Sequence, residues 1–325
     1  NAVGTFNDVV EFGQVDGTPV VYYINDNSRL DAKSLANPAA PAALPAINTD
    51  GADVAAATAD NHVFAVTNNT ITAYSVSLVA DPVATEVIST EPTYIAGLGV
   101  ISNHLVAAYD NKLVVHDVTD PASPIEVSSI TLPNFTRALE VEDDLAIVAT
   151  VNEIRVYDLS VPANPALLST ISTISMEALA VDQHTLYATA NPMNAVLSWD
   201  ISDPSHPVAN PALNFVSPVG FRRLIASDAT LYLVTAQSVR IYDASNPAQP
   251  VLASTLTPSG LGVSFTDAVV RGRTLVTLTT FGRTEFFDTS NRESPDSLSS
   301  YTPAGVAGGV LTLVDTLLIT SGSTY

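Results

Sequence analysis

The stretch Ile154-Arg155-Val156-Tyr157-Asp158-Leu159-Ser160-Val161-Pro162-Ala163-Asn164-Pro165 decides the fold of this chain. From Ile154 to Tyr157 apolar and polar residues alternate, as in a strand with one buried face. Asp158 ends that strand, because its carboxylate accepts backbone N–H groups just downstream and pins a turn. Pro162 and Pro165 fix φ and donate nothing. The connection therefore cannot pair as a strand before the chain resumes at Ala166.

Upstream of this stretch, Ala138-Leu139-Glu140-Val141 alternates and ends in the turn Glu142-Asp143-Asp144. Leu145 to Thr150 is an apolar run of strand length, and Ala166 to Ile171 is a last short strand. Four strands joined by short turns make up the unit. It recurs. An Asp (once a Ser) stands seven positions before a proline at Asp31/Pro38, Ser75/Pro82, Asp117/Pro124, Asp158/Pro165, Asp200/Pro207, Asp243/Pro250 and Asp288/Pro295. Successive first members lie 44, 42, 41, 42, 43 and 45 residues apart, a period that marks a repeat architecture. No segment holds a helical period.

The expected fold class is all-β, a β-propeller of four-stranded antiparallel blades, seven or eight in number. The units run at about 1–50, 51–91, 92–133, 134–173, 174–218, 219–258 and 259–302, with a partial unit at 303–325, in a single domain spanning 1–325. Eight blades are favoured over seven. Val306 to Val314 and Leu317 to Ser321 read as the first two strands of an eighth blade and Ala2 to Phe6 as its fourth, with no evident third. That blade is therefore expected to be shared between the chain ends, which would cover its edges, or to be incomplete with an open edge.

Three runs carry a family resemblance: Val156 to Pro165, Ile241-Tyr242-Asp243-Ala244-Ser245-Asn246-Pro247-Ala248-Gln249-Pro250, and Trp199-Asp200-Ile201-Ser202-Asp203-Pro204-Ser205-His206-Pro207. They resemble the LVIVD-repeat propellers, in which V-x-D-[VIL]-S-[DN]-P-x-x-P ends the third strand of each blade. The match is strong in the third to sixth units, weaker in the first two, and partial in the seventh, where Arg292 replaces the first proline. The resemblance implies an exported or cell-surface protein used for interaction or adhesion, and it supplies no catalytic residues.

Composition narrows the function. Hydrophobic residues are 46% of the chain and charged residues 14%, enough for a large core. No apolar run reaches the roughly 18 residues that span a bilayer, so membrane insertion is not expected. The chain holds 33 acidic and 12 basic residues, net −21, with only two lysines. Such a surface repels nucleic acid and anionic lipid. It suits a salty exterior, and its scattered carboxylates would tolerate Ca²⁺, although no cofactor is required. The absence of cysteine excludes disulfides and thiolate metal sites.

Chemistry at a propeller is expected where fourth-to-first and second-to-third connections gather. There the candidates are Asp53, Arg137, Glu177, Phe221, Arg222 and Arg223, accompanied by Asp50, Tyr94, Phe135, Met176 and Phe265. Arg222-Arg223 is the unusual pair in so acidic a chain, and guanidinium groups grip carboxylates and sulfates in bidentate fashion. The markers Asp31, Asp117, Asp158, Asp200, Asp243 and Asp288 read as structural. His62, His104 and His184 read as residues of first-to-second turns, not as a zinc site. The sequons Asn68-Asn69-Thr70 and Asn134-Phe135-Thr136 fall on connections.

The reading is a non-catalytic extracellular or cell-surface module. Its partner would be a protein, a polysaccharide or, through an open blade edge, another copy of the chain. The alternative is a hydrolase or lyase acting on a sugar or lactone, possible on this fold only by analogy.

Overall fold

A computed structural model of the chain describes residues 10–25, 29–34, 42–48, 56–59, 61–67, 70–81, 83–89, 92–120, 122–173, 176–190, 195–211, 213–214, 221–271, 273–280 and 284–301, together with the strands Val306–Ala307, Leu311–Val314, Leu317–Thr320 and Ser323–Thr324. Among them every regular element is a strand. Seven consecutive antiparallel sheets follow the predicted units, at 10–48, 56–89, 95–131, 136–172, 176–214, 221–256 and 265–301, numbered one to seven below. Within each, the strands pair in chain order. Sheet five departs from four strands: Val208–Ala209 and Leu213–Asn214 both pair with Ala195–Asp200.

At the C-terminus, Leu311–Val314 pairs with Leu317–Thr320, matching the expected opening of an eighth unit. Val306–Ala307 is separate and pairs with Ser323–Thr324, so the predicted continuous strand from Val306 to Val314 is two. The proposed closing segment Ala2 to Phe6 lies outside the described residues. The chain divides into two compact units, residues 1–146 with 158–166, and residues 147–157 with 167–325, the boundary falling inside sheet four.

In each unit the core lies between successive sheets. In the first, Phe64, Val66 and Ile71 of sheet two meet Leu105, Ala107 and Val114 of sheet three. In the second, Tyr187 and Val196 meet Leu224, Leu231 and Leu233, while Tyr232, Val234 and Ile241 meet Phe265, Ala268 and Leu275. A second strand therefore has a neighbour on both faces, and Thr230–Thr235 is buried throughout. That explains why second strands read as unbroken apolar runs, not as alternating ones. First strands come closest where side chains are smallest. A Cβ on Gly97 would lie 3.0 Å from Leu139 Cβ, and one on Gly99 would lie 2.9 Å from Val141 Cγ2.

The marker residues do what their chemistry predicts. Asp117, Asp158, Asp200, Asp243 and Asp288 each accept the N–H two residues on, at 2.7–2.9 Å. All five carboxyls are held below the usual range, at Asp117 and Asp288 chiefly by the hydroxyls of Thr119 and Ser290 and then by these N–H groups, and at Asp158, Asp200 and Asp243 chiefly by the N–H groups. The next residue turns inward: Val118, Leu159, Ile201 and Ala244 are buried, and their N–H groups donate to the preceding first-to-second turn. Pro162, Pro204 and Pro247 occupy the second position of turns closed by Asn164 N–H to Val161 O (2.8 Å), His206 to Asp203 (3.0 Å) and Gln249 to Asn246 (2.9 Å), the position that proline's fixed φ favours. In sheet two, where Ser75 replaces Asp, the Ser77 hydroxyl accepts the Ala80 N–H at 2.8 Å. Asp31 falls on the strand Arg29–Ser34, with its side chain outside the described set.

Candidate functional site

The first strands of sheets four and seven begin where the chain returns from an outer strand, and their starts are tied to the preceding sheet. Thr136 donates N–H to Asp110 O at 2.6 Å and Oγ1–H at 3.1 Å, and Phe265 N–H donates to Ala236 O at 2.9 Å. Asp110 in turn accepts the N–H groups of Thr93 and Tyr94, both at 3.0 Å. Next to these anchors, the first strands of sheets three, five, six and seven all carry a β-bulge at the same place. A bulge re-aims side chains.

In sheet six the bulge separates Phe221 (opposite Thr235) from Arg223 (opposite Val234), leaving Arg222 as the extra residue. The two arginines consequently diverge. Arg222 is exposed, whereas Arg223 is half-buried and donates Nη1–H to Ala268 O, a backbone carbonyl of sheet seven, at 3.3 Å. Phe221 packs against the core shared by sheets five and six.

Arg137 occupies the corresponding end of the sheet-four first strand, and its Nε is buried without a protein acceptor. Phe135, just before that strand, is 59% exposed. Glu177 lies on the strand Met176–Asp182, its side chain outside the described set, as are Asp50 and Asp53 altogether. Met176 and Phe265 are corrections: both are fully buried and belong to the core, because the first residue of a first strand points between sheets. His184 sits in its turn at φ 61°, but His62 and His104 are the first residues of second strands.

Sequence reasoning missed the most exposed apolar residue of the described set. Leu261, at 102% relative exposure, tops the connection from Leu256 to Phe265. Gly260 (φ 117°) and Gly262 (φ 73°) flank it, in conformations that L side chains resist. The loop's ends are pinned. Ser259 Oγ–H donates to Glu285 Oε1 at 2.8 Å, and Thr280 N–H donates to Ser264 O at 2.9 Å. Gly-Leu-Gly was legible as a loop, but the outward aim of Leu261 was not.

Beyond the marker carboxyls, two ionisable groups of the first unit are perturbed by burial. Burial pushes the Glu140 carboxyl up to about 7, assisted by the charge of Glu142 two residues along the same strand face. Burial lowers His116 to about 4, and its Nδ1 has no protein partner. Among the described residues no three His, Asp or Glu side chains are grouped as a metal site, and no helix is long and apolar enough to cross a membrane.

Comparison places this geometry in a fold. Residues 104–131 match the LVIVD repeat family. No curated protein sequence matches the chain. Sqt1 of Saccharomyces cerevisiae aligns at TM-score 0.73 and 11% identity, over 97% of this chain and 94% of its own. BamB of Moraxella catarrhalis aligns at TM-score 0.64 and 13% identity, over 87% and 84%. The computationally designed Ika8 protein aligns at TM-score 0.72 and 12% identity, over 99% and 95%. The chain carries an LVIVD repeat and has the β-propeller fold, its blades being the sheets described above and their number consistent with seven to eight.

Proposed function

We propose that the chain is a non-catalytic interaction module, working outside the cell or at its surface, which presents its fourth-to-first connections to a protein partner. Leu261 carries this reading. A leucine held fully in water by a pinned, glycine-dependent loop forgoes roughly 1.5–3 kcal/mol of burial, which a partner's apolar surface would recover. In the other compact unit Phe135 is exposed on a connection of the same type, beside the unsatisfied Nε of Arg137. An aromatic or aliphatic anchor next to an arginine is the composition of interface hot spots. The acidic, lysine-poor surface suits the exterior. The reading invokes no cofactor.

A photo-crosslinking residue at position 261, with Val79 (92% exposed, on a third-to-fourth connection) as the control position, identifies the partner in the source cells. Affinity for that purified partner should then fall at least about tenfold in Leu261→Ser, with the melting temperature unchanged. Adducts to a polysaccharide or to the chain itself would change the partner class. Turnover of a glycoside or lactone, abolished by Arg222→Ala or Arg137→Ala, would overturn the reading.

A further inference from the structure

We propose that the outer strand of sheet six, Val251–Leu256, accepts an extended basic segment of a partner protein as an added strand. This surface is separate from the connections discussed above and stands or falls by itself. The strand pairs on one side with Val239–Asp243, and on its other side no strand lies among the described residues. Its sequence, VLASTL, lacks the charge, proline and glycine that usually keep an edge from recruiting another chain. Two features guard it: the bulge at Ala253, where the register moves from Ile241–Ser254 to Tyr242–Leu252, and the sheet-seven connection, whose Arg292 O accepts the Ser254 hydroxyl at 2.7 Å. Val251 and Leu252 remain 65% and 50% exposed.

The feature belongs to the repeat. Ile125 and Val208, at the equivalent place in sheets three and five, are each 63% exposed. These three residues stand directly opposite marker carboxylates, in the cross-strand pairs Asp117–Ile125, Asp200–Val208 and Asp243–Val251, whereas the equivalent Val83 of sheet two faces Ser75. In sheet six the acidic member, Asp243, lies on the inner neighbouring strand beside one end of the edge, where it accepts the Ser245 N–H at 2.9 Å and its Oδ1 is 3.6 Å from Arg292 Nη1. Charge selects the occupant. A second copy brings the same net −21 and is repelled, whereas a strand alternating β-branched residues with Lys or Arg covers the aliphatic groups and brings the opposite charge to this acidic chain.

The test uses the full chain and three synthetic ten-residue peptides: alternating Val and Lys, the same with Glu for Lys, and the Val-Lys peptide interrupted by two prolines. Binding is followed by fluorescence anisotropy at low salt, and amide exchange is resolved along residues 251–256. The Val-Lys peptide is expected to bind saturably and slow exchange in 251–256, the Glu peptide not to bind, and Leu252→Lys to remove that protection without lowering the melting temperature. Equal binding of the proline-interrupted peptide, or binding that leaves 251–256 unprotected, would reduce the effect to bulk charge and overturn the proposal. Self-association that protects 251–256 without peptide would overturn it in favour of a second copy.

Discussion

At the scale of single residues, the two perturbed groups pull stability in opposite directions with pH. His116 occupies the position that holds Tyr157, Trp199, Tyr242 and Phe287 in other units, each just before a marker Asp. Burial without an Nδ1 partner holds it neutral, at about 4 against an ordinary 6.5. The folded state therefore binds its proton less readily than the unfolded state. The stabilisation is complete above about pH 6.5 and is lost as pH falls towards 4, by up to about 3 kcal/mol. His116→Phe, measured by denaturant unfolding across that range, should flatten this slope. Glu140 has the opposite sign. Its carboxyl is raised from 4.5 to about 7, so its contribution is complete below pH 4.5 and is lost as pH rises through 7. Glu140→Gln should exceed the parent in stability at pH 8, by roughly 1–3 kcal/mol, and match it at pH 4. An equal gain at both pH values would mean that the charge is not the cause.

At the scale of the sheet, repeat consensus and tertiary need can disagree, and Arg292 shows how. By the repeat, the second turn position of sheet seven should hold proline. Instead the arginine reaches sheet six, with Nε–H to Thr230 Oγ1 at 2.5 Å, Nη2–H to Asp228 O at 2.7 Å and Asp243 Oδ1 3.6 Å from Nη1. Arg292→Pro restores the consensus and improves the local turn, yet should lower stability by about 1–3 kcal/mol, since charge-assisted bonds are lost. A stabilised variant would show that the turn outweighs the tie. The approach of sheets three and four gives a second case. Gly99→Val should be destabilising by about 1–3 kcal/mol through overpacking against Val141. Adding Val141→Ala should restore part of that loss, which a double-mutant cycle would read as coupling.

At the scale of the whole molecule, net charge bears on stability. With −21 on 325 residues, self-repulsion weakens the compact state and salt relieves it. Raising sodium chloride from about 0.02 to 0.5 M should increase the melting temperature by several degrees. Calcium chloride at matched ionic strength should give the same rise, and a larger one would mark specific cation binding. We further propose that residues 1–325 unfold as one domain, because the boundary between the two compact units falls within a sheet and not at a linker. Two resolved calorimetric transitions would argue against that.

The sequence by itself determined the repeat, the strand order within each unit and the work of the Asp and Pro markers. All of these are local: a side chain two residues from its N–H, a ring that fixes its own φ, an alternation read along a single strand. Tertiary structure decided what depends on neighbouring sheets. Met176 and Phe265 are buried, Arg222 and Arg223 part company at a bulge, Arg292 crosses to sheet six and Leu261 points into water. Apart from Leu261, whose aim its flanking glycines help to set, these outcomes rest on bonds or contacts between residues that lie well apart in the chain. No window of sequence contains both partners.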